Sequence, residues 1–156
     1  MTARVTALLI AFSLDSTPQS PSPQATNTAR REIQAAYAKA LDAMRNAKSL
    51  EDLDEIDRSF DTLDWQSLAP GQPRARGWQE LRKYGFEGLW APFQSAELII
   101  DTFETSGDTA VFTGKIRQIG MKGNVSLIAV KETWKKTVMG WKRQVHQKFP
   151  PGETPK

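Results

Sequence analysis

At 156 residues, with 39% hydrophobic and 25% charged residues, the chain suits one globular domain and is too short for two. It contains no cysteine, which excludes disulfides, thiolate metal ligands and cysteine nucleophiles. The formal charge of +3 is uneven: Arg30 to Asp64 holds six basic and nine acidic residues, Ser95 to Phe149 nine basic and five acidic. No array of stacking aromatics and arginines accompanies that basic half, so nucleic-acid binding is not expected.

Met1 to Arg4 supplies one positive charge, and Val5 to Leu14 is an apolar run within the range of a secretory leader. Residues 1–16 are therefore expected to be a signal peptide, implying a secreted or periplasmic protein. The apolar run is too short for a stable membrane span. Residues 17–28, rich in Pro and Ser, are expected to form a linker. The folded domain then occupies 29–149, and the proline-bearing 150–156 a flexible tail.

A first helix is expected from Ala29 to Ala47, capped by Asn27 or Thr28. Its stripe is Ile33, Ala36, Tyr37, Ala40, Leu41 and Met44, at helical spacing. Ser49 opens a second helix with Asp52 placed for a capping box, and Leu53, Ile56 and Phe60 mark its buried face. The carboxylates on this helix are spread around the axis and read as a solvated face. Asp64 to Leu68 is a short strand ended by Pro70-Gly71. A third helix, from Trp78 to Trp90, is weakened by Gly85 and Gly88 and ends before Pro92. Strands follow at Ala96–Thr105 and Thr109–Ile119, and then one long hairpin, Val125 to Phe149, turning at Thr137–Gly140. Three helices followed by a meander of strands give a single α+β domain.

Strict alternation sorts the hairpin. With Lys136 opposite Trp141, Trp134 faces Arg143 and Glu132 faces Val145. One face then carries Ile128, Val130, Glu132, Trp134, Trp141, Arg143, Val145 and Phe149. The other carries Leu127, Lys131, Lys135, Lys142, Gln144, His146 and Lys148. On this register His146, the lone histidine, is an exposed residue among lysines. Glu132 and Arg143 lie among aromatics, as a structural ion pair or as the polar end of a pocket.

An Ala-rich first helix with Tyr37 is followed by Asp64-Trp65-Gln66-Ser67-Leu68, Pro70-Gly71 and Gly77-Trp78-Gln79-Glu80-Leu81. Four strands end in Glu132-Thr133-Trp134-Lys135-Lys136 and Gly140-Trp141-Lys142. Over Ala29 to Phe149 this order resembles the nuclear transport factor 2-like superfamily, and within it the SnoaL-like bacterial proteins. The resemblance implies a cone-shaped fold: three N-terminal helices packed on a strongly curved antiparallel sheet, with a pocket between them. It also implies that ketosteroid isomerase-like members would place a general-base aspartate where this chain has Leu68, flanked by Ser67 and Ala69. Many SnoaL-like relatives carry a histidine in the last strand on the face of its tryptophan. Alternation here gives that face Val145 and Gln147 and turns His146 away.

The first functional reading is therefore a non-catalytic exported domain that binds a small apolar molecule or pairs with a second copy. Its ligand-binding residues would be Tyr37, Trp65, Trp78, Glu132, Trp134, Trp141 and Arg143. The alternative is a small lyase, isomerase or hydrolase using a pocket carboxylate: Asp57, Asp61, Asp64 or Glu132, with Tyr37 as hydrogen-bond donor. That alternative requires one carboxyl in the cavity within reach of the tyrosine. The lysines of the outer face would oppose pairing through it. No metal or other cofactor is expected: there is one histidine, no cysteine and no phosphate-cradling glycine loop.

Overall fold

The computed structural model describes residues 21–71, 74–153 and 155. The expected signal peptide and the start of the linker lie outside them.

Helix α1 spans Pro23–Asn46, beginning six residues before the expected Ala29. Its cap is Ser22, whose hydroxyl accepts from the Ala25 N–H at 3.2 Å, and Pro23 occupies the first turn, where a missing N–H costs nothing. Asn27 and Thr28 are inside the helix. Ala29, Ile33, Tyr37 and Ala40 form its buried face. Helix α2, Leu50–Phe60, has the expected capping box, with the Asp52 carboxylate accepting from the Ser49 N–H at 3.1 Å.

Strand β1, Asp61–Leu68, starts where α2 stops, three residues before the expected strand. Ala75–Arg76, expected as loop, is a short strand, β2, on the outer edge of β1. The expected third helix is broken into α3 (Trp78–Leu81), a 3-10 turn (Arg82–Tyr84) and α4 (Gly85–Leu89). The break is at Gly85, whose φ of 69° no other residue adopts cheaply. Four long strands follow: β3 (Phe93–Ser106), β4 (Thr109–Gly120), β5 (Val125–Thr137) and β6 (Gly140–Lys148).

The six strands form one curved, unclosed sheet in the order β2-β1-β6-β5-β4-β3. Strands β3 to β6 are the expected antiparallel meander, while β1 returns to pair with β6 in parallel. The inner face, with Ile100, Phe112, Val130 and Trp134, packs on α1 and Phe60. At Gly114 the β3 backbone crowds β4: a Cβ there would lie 2.2 Å from the Ile99 carbonyl oxygen. Across from it β3 carries one extra residue, Asp101, between the Ile100–Gly114 and Thr102–Thr113 pairs. Such bulges bend a sheet.

A second bulge decides the site. Lys136 pairs with Trp141 and Trp134 with Arg143, as alternation requires. The next pairs are Thr133 with Val145 and Glu132 with His146, leaving Gln144 as an extra residue. Beyond it the strand is turned over. His146 is therefore buried on the inner face, not exposed among lysines. Lys148 follows it to the cavity side, and Val145 moves to the row of Thr133.

A buried carboxylate–imidazole pair beside an aromatic cavity

Between the helices and the inner sheet face lies a cavity of about 450 Å³. Leu41 and Met44 of α1, Ile116 of β4 and Ile128 of β5 give it apolar walls, with the indoles of Trp65, Trp78 and Trp90 around them. Tyr37, Asp57, Asp61, Ser67, Arg143, His146 and Lys148 supply polar groups.

Glu132 anchors those groups from beneath the cavity and is wholly buried. Its Oε1 accepts from the Tyr37 hydroxyl at 2.8 Å and lies 2.5 Å from Nδ1 of His146; its Oε2 accepts from Trp134 Nε1 at 2.8 Å. Arg143 approaches the same Oε1 at 3.6 Å. Burial alone would raise the Glu132 carboxyl, but the His146 hydrogen bond and the Arg143 charge more than offset it and hold the group below the ordinary carboxylate range. A carboxylate has only acceptors, so Nδ1 is the protonated ring nitrogen of His146. Burial and then the Arg143 charge hold His146 below its ordinary pKa, which keeps the imidazole neutral near pH 7. Its Nε2 has no hydrogen-bond partner among the described residues, and the ring forms part of the cavity wall. Tyr37, pushed well up by burial and by Glu132, keeps its proton.

Arg143 links this pair to α2. Its guanidinium donates to both Asp61 oxygens, at 2.7 and 3.1 Å, and stacks over Phe60 at 4.7 Å and Trp65 at 5.2 Å from the ring centroids. Such forked pairing fixes orientation as well as charge. Burial would lower the Arg143 pKa, yet Asp61 and Glu132 hold it far above the ordinary range. Burial raises Asp61 against the pull of Arg143. Asp57, one helical turn before Asp61, accepts from Trp65 Nε1 at 2.6 Å. Burial and the Asp61 charge raise its pKa to about 6. Among the described residues no group of three His, Asp or Glu side chains is arranged to hold a metal ion.

Of the residues expected to bind a ligand, Tyr37, Trp65, Trp78 and Arg143 line the cavity. Glu132 and Trp134 do not reach it: both are fully buried beneath it, Trp134 edge-on to Phe60 at 5.0 Å. Trp141 lies apart from the cavity, its Nε1 donating to Glu32 of α1 at 2.9 Å. Of the alternative carboxyls, Asp57 and Asp61 are on the cavity wall and Glu132 binds the tyrosine, while Asp64 is exposed. Alternation missed His146 and Lys148, because a bulge of this kind needs no glycine and Gln144 gives no sign of it. Trp90, expected only as a helix end, is also part of the wall.

No family model matches the chain, and no curated protein does. Solved structures of similar shape do match. An NTF2-like protein with a cystatin-like fold from Novosphingobium aromaticivorans aligns at 16% identity and TM-score 0.55, over 81% of this chain and 85% of its own. A candidate dehydratase of the NTF2-like family from Streptomyces avermitilis aligns at 21% identity and TM-score 0.56, over 80% and 96%. An NTF2-like protein of unknown function from Pseudomonas putida aligns at 14% identity and TM-score 0.58, over 81% and 89%. The chain has the nuclear transport factor 2-like fold. In this fold the curved sheet and the N-terminal helices enclose the space just described, and the end of β6 brings His146 to its wall. Among the described residues no helix is long and apolar enough to cross a membrane.

Proposed function

We propose that the protein binds a small, largely apolar molecule in this cavity. The observation that carries the reading is the cavity itself: about 450 Å³, with aliphatic and indole walls and a few convergent polar groups. That size and lining are those of small-molecule sites. The expected resemblance to SnoaL-like proteins supports the same reading. It is tested by NMR titration with a panel of small aromatic compounds, alongside Ile116→Trp, which fills the cavity. Binding should perturb Trp65, Trp78 and Ile128 and be lost in the filled variant. A panel that perturbs none of these residues at millimolar concentration removes the proposal.

The Glu132–His146 contact favours a second reading, acid–base chemistry of the lyase or isomerase kind. A neutral imidazole whose Nδ1–H is held by a carboxylate presents Nε2 as a proton acceptor at a fixed place. The candidate dehydratase of similar shape is consistent with such chemistry. Cyclic ketones and β-hydroxy ketones incubated with the protein in D2O should exchange α-protons or lose water. His146→Asn should slow either reaction by about 10²–10⁴-fold. Rates no faster than buffer across the panel argue for binding without catalysis.

We also propose that residues 1–16 direct export. Mass spectrometry of the protein from its own cells should find a mature chain starting near residue 17; an intact Met1 counts against it.

A further inference from the structure

The charged groups of the cavity wall are not equally committed. Asp61 and Arg143 hold each other through two N–H···O bonds, Asp57 accepts from Trp65, and His146 is tied to Glu132. Lys148 differs. It lines the cavity, yet among the described residues its ammonium makes no hydrogen bond or ion pair. Its side chain stands exposed at the cavity edge, where desolvation and the Arg143 charge press it below its ordinary pKa against the opposing pull of Glu132.

Its surroundings are polar and equally unclaimed. Lys148 stands two residues beyond His146 on the same face of β6. Ser67 of β1 pairs with His146 across the parallel ladder and lines the cavity, and among the described residues its hydroxyl makes no hydrogen bond. Strand spacing and rise put the Ser67 and Lys148 backbones about 8 Å apart, a gap that one small polar group would bridge from both sides. The wall carboxylates Asp57 and Asp61 gather instead around Arg143, five residues earlier in the strand.

We infer that the ligand is an amphipathic carboxylate, its anionic group held by Lys148 and Ser67 beside His146 and its apolar body lying along the indole walls. This rests on the binding proposal above and deepens it by naming the ligand's charged end. A charge-assisted bond to an ammonium at the cavity edge discriminates a carboxylate from a neutral isostere.

The experiment compares naphthalene-2-carboxylate with naphthalene-2-carboxamide by NMR titration at pH 7.5, on the wild type, Lys148→Met and Arg74→Gln. Arg74 borders a separate, shallower depression that Lys148 also touches, and so reports binding outside the cavity. The carboxylate should bind about tenfold more tightly than the amide, and Lys148→Met should remove that preference while Arg74→Gln keeps it. Equal binding of the two probes, unaffected by Lys148→Met, overturns the carboxylate assignment and leaves the cavity reading intact. A preference lost in Arg74→Gln but not in Lys148→Met places the anion in the depression and also overturns it. Absence of any shift at Trp65, Trp78 or Ile128 with either probe overturns the cavity reading itself.

Discussion

Nδ1 of His146 lies 2.5 Å from Oε1 of Glu132, two residues that strict alternation would put on opposite faces of the sheet. One unpaired residue, Gln144, makes the contact. It turns the end of β6 over, so that the only histidine in the chain meets a carboxylate already bound by Tyr37 and Trp134.

Deleting Gln144 should remove the bulge and let β6 pair regularly, with Val145 still opposite Thr133 and His146 still opposite Glu132. The variant is expected to keep the Glu132–His146 contact and a His146 imidazole held below its ordinary pKa. His146 resonances that instead titrate near the ordinary value of about 6.5 would show that the pairing of β5 with β6 does not set the site.

Glu132→Ala leaves the Tyr37 hydroxyl, the Trp134 indole N–H and the His146 Nδ1–H without their shared acceptor in a buried place, and removes a charge that faces Arg143. A loss of about 3–5 kcal/mol is expected in urea unfolding. Asp64→Ala, at an exposed carboxylate of the same chain, should change stability by no more than about 0.5 kcal/mol.

Asp57 makes the fold's stability depend on pH. Its pKa rises from 3.8 to about 6 on folding, so the folded state holds the proton more tightly than the unfolded state. That favours folding below 3.8, and the advantage is lost as pH rises through about 6. Asp57→Asn should therefore be more stable relative to wild type at pH 7.5 than at pH 4, as read from paired thermal melts.

For His146 the sign runs the other way. Its folded pKa is held below the ordinary 6.5, so its contribution is complete above 6.5 and lost as pH falls through the lower folded value. Wild type should lose stability relative to His146→Gln between pH 7.5 and pH 5.

Gly114→Ala would put a methyl 2.2 Å from the Ile99 carbonyl, a place where only backbone movement helps. A cost of about 1–3 kcal/mol is expected by calorimetry, from forced shifts of β3.

Much of the scaffold was legible because it rests on local chemistry. The stripe of Ile33, Tyr37 and Ala40, the Ser49–Asp52 capping box, and the Trp134–Arg143 pairing all reappear. The true start of α1 was written in Ser22-Pro23, a cap followed by a first-turn proline, and was hidden by the polar residues after it. The parallel return of β1 to β6 is a tertiary choice that no residue of Asp61–Leu68 announces. The candidate site was least legible, since its key histidine depends on one residue's slip in a strand whose pattern looks regular. Tyr37, Trp65, Trp78 and Arg143 could be assembled from pattern alone, while His146 and Lys148 could not.

The site depends on the protonation state and direction of one ring, which 15N NMR of the His146 imidazole at pH 7.5 reads directly. A neutral ring with its proton on Nδ1, a bare Nε2, and resonances that move in Glu132→Gln and on ligand addition is the predicted result. A ring protonated on Nε2, titrating near 6.5 and indifferent to Glu132→Gln, would contradict it.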